Sequence, residues 1–175
     1  KTIKSSAEIS ELASQITDLS QMEHILFLPF FTGIGTPHWN SLAKAAILGL
    51  TRDTQNSHIA RACLEGIALS LNDSILSFKK DFPDLNDIKV DGGASANDLL
   101  MQLQANFSGK TILRPEIIDT TAYGVAIGCL VGKGEIAIND MSSFWKLEKA
   151  FSPENNDYYQ DKKGLWQESI RRLFL

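Results

Sequence analysis

The sequence predicts an α/β fold with parallel strands flanked by helices, and three observations carry it. Apolar runs of strand length, at residues 25–31 and 111–113, are separated by longer stretches whose apolar residues recur at helical spacing. A strand-like run at Ile88-Lys89-Val90 enters Gly92-Gly93 and then a second helical pattern, which is how a βα unit reads. The resulting order of elements requires at least two parallel strands. With 175 residues the chain supports one sizeable core, so a single domain over residues 1–175 is expected.

Composition narrows the function classes. A hydrophobic share of 43% with 22% charged residues is the balance of an ordinary globular protein. The net charge of −4 and the lack of a Lys/Arg run argue against a nucleic-acid partner. No apolar run reaches membrane-spanning length. Cys63 and Cys129 lie in apolar helical settings without C-x-x-C spacing. They are expected to be buried thiols in a reducing, cytoplasmic compartment. Lys1 opens no signal peptide, and the missing Met start suggests a piece of a longer protein.

In chain order, Ser5-Ser6-Ala7-Glu8 has the form of a capping box, and Ile9, Leu12, Ala13 and Ile16 make the stripe of a first helix. Residues 25–31 read as a buried strand running out at Pro29. The Gly- and Pro-rich stretch 32–40 reads as a loop, in which His38 and Trp39 are a candidate ligand shelf or simply structural. Residues 45–50 are a short apolar segment. The longest helix runs from Ser57 to Lys79, with Ile59, Cys63, Ile67, Leu71, Ile75 and Phe78 along one side and Leu64 and Ala68 widening the stripe. Glu65 reads as an ordinary helix-face carboxylate. Asp81-Phe82-Pro83 ends this helix.

The stretch 88–97 organises the rest. Gly92 and Gly93 suit unusual backbone angles or the close approach of a flat ligand. The following helix, with Ala96, Leu99, Leu100, Leu103 and Phe107 on one face, would point its first amides at that opening. Asn97, placed in its first turn, carries an amide that both donates and accepts. A tight βα turn without ligand accounts for a bare Gly-Gly pair equally well. Downstream, Arg114-Pro115-Glu116 breaks a strand at 111–113, and Asp119 or Thr120 caps a helix with Ala122, Val125, Ala126, Cys129 and Leu130 as its apolar face. Gly124 and Gly128 leave that helix thin on one side, as close packing onto a neighbour would require. The last helix presents Tyr159, Lys162, Trp166, Ile170 and Leu173 as a docking face.

Three motifs follow one another in order: residues 31–39 (FTGIGTPHW), residues 91–97 (DGGASAN), and Arg114-Pro115-Glu116 continuing to Thr121-Ala122-Tyr123-Gly124. Together they resemble the C-terminal part of the FGGY carbohydrate kinases, over Phe27 to Gly134. Residues 45–50 (AAILGL), followed by His58-Ile59 and Ala62-Cys63-Leu64-Glu65, also resemble that family's second signature, with Cys63 a slight departure. The resemblance implies part of an actin-like (ribonuclease H-like) ATPase fold. It implies an intact enzyme that uses ATP and Mg2+ to phosphorylate glycerol, or alternatively a pentulose, and that assembles as a homo-oligomer. A non-catalytic actin-like nucleotide-binding module is the rival. By position, Gly93 and Asn97 would contact the adenine nucleotide (ATP or ADP), with Gly92 and Ala94 shaping the turn. None of Asp53, Asp91 or Asp119 matches the family's proton-accepting aspartate, so no catalytic or metal-binding residue is assigned in this chain.

Overall fold

A computed structural model describes residues 5–79 and 81–175; the reading at Lys1 lies outside them. Helix α1 (Ser6–Ser14) starts where expected, with the Ser5 side chain accepting the Glu8 amide. Strands β1 (Leu26–Leu28) and β2 (Ala46–Leu48) form an antiparallel pair. Helix α2 (Asn56–Phe78) follows, then β3 (Asp87–Lys89), α3 (Asp98–Ser108), β4 (Thr111–Pro115), α4 (Thr120–Gly132), β5 (Leu147–Phe151) and α5 (Asp157–Phe174). Strand β4 is central in a three-stranded sheet, parallel to β3 and antiparallel to β5. The expected α/β fold with a parallel strand pair is present.

Several elements differ from the sequence reading. Strand β1 stops before Pro29, which has no amide to donate. The apolar segment at 45–50 contains β2, a three-residue strand too short to show alternation. Strand β4 does not break at Arg114 but continues to Pro115 through a register shift at Arg114/Pro115 opposite β5. Strand β5 itself was hidden because it exposes all its side chains except Phe151.

Helix α2 is the central strut, packed against α1, α3 and β1. Its buried face is not the long apolar stripe. Small and polar residues point inward: Ala60, Ala62, Ala68, Arg61, Glu65, Asn72 and Asp73, together with Leu64 and Leu69. The reason is distance, because a Cβ on Gly66 would lie 2.2 Å from the Phe27 carbonyl oxygen. Backbone of β1 therefore rests directly on this face, and larger side chains are pushed outward. Ile67 and Leu71 are left partly exposed.

Helix α4 also departs from expectation. Of its residues only Ile127 is buried, Val125 is 65% exposed, and Cys129 is exposed rather than buried. A Cβ at Gly124 or Gly128 would meet nothing among the described residues, so no neighbour packs there. Cys63 is half-buried, and burial pushes its thiol pKa up. Strand β3 is paired on one side only among the described residues.

The C-terminal helix docks as its pattern predicts, with Tyr159, Lys162, Trp166 and Ile170 buried and only Leu173 left half-exposed. Trp166 Nε1 donates to Asp73 Oδ2 at 2.7 Å, and Gln167 Nε2 donates to Asp73 Oδ1 at 2.7 Å. Glu65 is fully buried, against the expectation of a surface carboxylate. It accepts from Arg61 Nε at 2.8 Å and from the Tyr158 hydroxyl at 2.7 Å, with Lys162 Nζ 3.7 Å away. Lys162 also donates to the carbonyls of Met22 and Ile25.

Removing Glu65 would leave two buried cations without their counter-charge. Glu65→Ala is therefore expected to cost about 3–5 kcal/mol, measured by urea denaturation at pH 7. Glu65→Gln, which keeps an acceptor, is expected to cost less than Glu65→Ala.

Candidate nucleotide site

Strand β3 leads through Val90 and Asp91 into a short 3-10 turn at Gly93–Ala96, which precedes α3. Gly92 enters this turn at φ +78°, ψ 168°, a region that side-chain-bearing residues rarely adopt. Gly93 has no such backbone demand, and a Cβ added there would meet no described atom within 4 Å. Neither packing nor strain within the described residues requires glycine at 93. What glycine provides there is an open backbone surface.

Four contacts hold the turn in shape. Gly92 N–H donates to the Ile118 carbonyl at 2.8 Å, and the buried Ser95 hydroxyl donates to the Gly92 carbonyl at 2.7 Å. Arg114 Nη1 donates to the Ser95 carbonyl at 2.9 Å, and the Asn97 side chain accepts the Leu100 amide at 3.1 Å. Asn97 is therefore the N-cap of α3 and not a first-turn residue. Ala96 belongs to the 3-10 turn and is exposed, whereas Leu100, Leu103 and Phe107 are buried as expected.

The N-terminus of α3 is not an open anion site. Its first residue is Asp98, whose carboxylate already occupies that end with Arg114 at 2.7 Å and Lys149 at 2.6 Å. Asp98 is held below the usual carboxylate range, first by the Lys149 hydrogen bond and then by Arg114. Asn97 Oδ1 is committed to the cap. Its Nδ2 donates to nothing among the described residues.

A cleft of about 640 Å³ opens onto this turn. Ile9 and Ser10 of α1 and Leu64 and Ile67 of α2 form one wall, with Gly93, Ala94 and Asn97 opposite. Buried Leu64 and the outward-facing Ile67 thus supply the apolar side of a recess that backbone and an amide also line. On the far side of the glycines a second recess, about 410 Å³, lies between Asp91, Gly92, Gly93 and the start of α4. Asp119 caps α4 there, and Thr120 donates to Asp91. A roomier cleft of about 710 Å³ beside α5 is lined by Asp18, Glu23 and Asp161, charges that would repel phosphates. Its Lys162 amine already serves backbone carbonyls.

The structure brings Gly93, Ala94 and Asn97 to one recess, whereas Gly92 lines the smaller recess on the far side of the turn, which Gly93 shares. His38 and Trp39 do not form a shelf. Trp39 is 77% exposed at φ 51°, and His38 turns inward with Nε2 buried. It lies near enough to Asp73 to oppose the upward shift that burial gives that carboxyl. Sequence reasoning missed the α1 wall, Ile67 and the Arg114 contact. The helical spacing puts Ile67 in the core stripe, and Arg114 reads as a strand breaker and part of a family motif with no contact to the turn.

Residues 2–132 match the FGGY family of carbohydrate kinases, C-terminal domain. The chain belongs to this family. It is 36% identical over 173 residues, 97% of this chain, to a glycerol kinase of Acinetobacter baylyi. It is 39% identical over 176 residues, 98% of this chain, to glycerol kinase 2 of Sulfolobus acidocaldarius. It spans 34% and 35% of these relatives' lengths. Among solved structures, a Plasmodium falciparum glycerol kinase with ADP superposes with a TM-score of 0.83 at 28% identity, covering 99% of this chain and 35% of that one. A Lactobacillus acidophilus xylulose kinase superposes with a TM-score of 0.83 at 24% identity, over 97% of this chain and 35% of that one, and shares the fold. The expected partial actin-like fold agrees with these neighbours.

The two uses of Asn97 are separable. Asn97→Asp keeps an N-cap acceptor and removes the donor, so thermal stability is expected to hold while ADP affinity falls. Asn97→Ala is expected to lose the cap as well, at about 1 kcal/mol. Calorimetric melting and ADP titration on the same samples check both.

Proposed function

We propose that this chain is the adenine-nucleotide side of an ATP-dependent kinase that phosphorylates glycerol to glycerol 3-phosphate. The single observation behind this reading is Gly93. Its bare backbone faces the α1–α2 recess beside the free Asn97 amide, although nothing among the described residues requires glycine there. A purine ring would lie against the aliphatic wall of Leu64 and Ile67, with Asn97 Nδ2 donating to it. The glycerol kinase relatives, and the neighbour with ADP, support the substrate and nucleotide.

Among the described residues, no group of three or more His, Cys, Asp or Glu is arranged to hold a metal ion. In this reading Mg2+ travels with the phosphates of the nucleotide, where it usually keeps several waters and takes few protein ligands. Its chemistry is to neutralise charge on the transferring phosphoryl group. The chain forms one nucleotide-binding unit over residues 1–175, and the intact enzyme works as a cytoplasmic homo-oligomer. No helix of the described residues is long and apolar enough to cross a membrane.

The purified chain is expected to bind ADP in a calorimetric titration and to show no glycerol-dependent ATP turnover, since none of its aspartates matches the family's base. The intact kinase is expected to release ADP with glycerol and Mg-ATP. Release with ribulose or xylulose instead would correct the substrate to a pentulose. ADP binding with no turnover on any of the three would favour a non-catalytic module.

A further inference from the structure

We propose that Arg114 is a positioning residue that holds the Gly92–Asn97 turn in its nucleotide-ready shape, an inference that rests on the nucleotide reading of that turn. Arg114 lies at the register shift of β4, and an irregularity of this kind re-aims a side chain. Here it sends a guanidinium that is only 8% exposed toward the turn. Nη1 reaches the Ser95 carbonyl at 2.9 Å and Asp98 Oδ1 at 2.7 Å. Nε reaches Glu148 Oε2 at 2.6 Å, and the Phe151 ring lies 5.3 Å from the guanidinium carbon. One side chain thus ties the third residue of the 3-10 turn, the first residue of α3 and strand β5 together.

Asn97 lies between Ser95 and Asp98, both held by the same guanidinium. Its own side chain caps the helix through the Leu100 amide, so the direction of its Nδ2 follows from where the start of α3 is held. The planar fork of arginine suits this geometry, because donors leave it in fixed directions toward several acceptors. Lysine supplies the charge on a flexible stem without that fork. A second cation, Lys149, holds the other oxygen of Asp98 at 2.6 Å and keeps the α3 terminus in place from the exposed side. Asp98 and Glu148 are both held below the usual carboxylate range by these cations. The brace is accordingly intact above that range and is lost only as pH falls through the lowered values.

The test compares Arg114→Lys, Arg114→Gln and the rim variant Glu148→Gln with the unaltered chain. Three quantities are read on each: melting temperature, ADP affinity, and amide hydrogen exchange at Gly93–Asn97 against α5. Arg114→Lys and Arg114→Gln are expected to weaken ADP binding roughly tenfold, a charged hydrogen bond's worth, and to speed exchange at the turn while α5 protection is unchanged. Glu148→Gln, which loosens only the outer anchor, is expected to show a smaller effect of the same kind without loss of fold. The proposal is overturned if exchange at the turn stays as in the unaltered chain. It is equally overturned if turn and α5 exchange rise together in proportion to a lowered melting temperature. If the unaltered chain does not bind ADP, the nucleotide reading fails. The exchange measurement still decides whether Arg114 holds the turn.

Discussion

The structure depends on a buried carboxylate that serves three partners. Glu65 has the Arg61 and Lys162 cations and the Tyr158 hydroxyl around it, in a place where water does not reach. Burial drives the lysine toward its neutral form and Glu65 opposes that. The Tyr158 phenol is pushed well up, first by burial and then by the same carboxylate. Because Lys162 also holds the Met22 and Ile25 carbonyls, this one cluster links α2, α5 and the entry to β1. A group of this kind contributes little net stability compared with an apolar core of the same volume. It does fix which face of α2 turns inward.

That orientation determines the recess. With small and polar residues committed to β1 and α5, the larger aliphatic residues of α2 are left on the side that meets α1 and the glycine turn. A helix read alone would bury Ile59, Cys63 and Ile67. In the fold, Gly66 brings strand backbone so near that only the opposite face fits beneath it. The exposure of Ile67 in the recess beside the glycine turn is thus a by-product of close helix–strand packing.

Much of this was legible in the sequence, for reasons that differ by element. Helices α1, α3 and α5 announced themselves by periodic apolar residues, and α1 also by its Ser5 cap, whereas the caps at Asn97 and Asn156 emerge only from the structure. The glycine turn was legible because backbone demands act locally. Strands β2 and β5 were not, since three to five half-exposed residues show no period. The inward face of α2 was not legible either, because it is set by Phe27, far away in the chain. Helix α4 was read by its apolar content, yet almost all of that surface meets no described neighbour. The family motifs singled out one short turn, of which Gly93, Ala94 and Asn97 line the α1–α2 recess and Gly92 the recess behind it. The chain's own geometry was needed to see that Arg114 reaches the same turn.

Asn97 places an unusual demand on the genetic alphabet. Its oxygen closes the first turn of α3 while its nitrogen faces the recess, two jobs on one short side chain. Aspartate can do only the first. Serine and threonine can cap and still donate their O–H, but only from the capping oxygen itself and not from a second atom. Glutamine owns both groups on a stem one carbon longer, which moves the oxygen off the cap. Asparagine sets the capping acceptor and a separate donor atom side by side on one short stem.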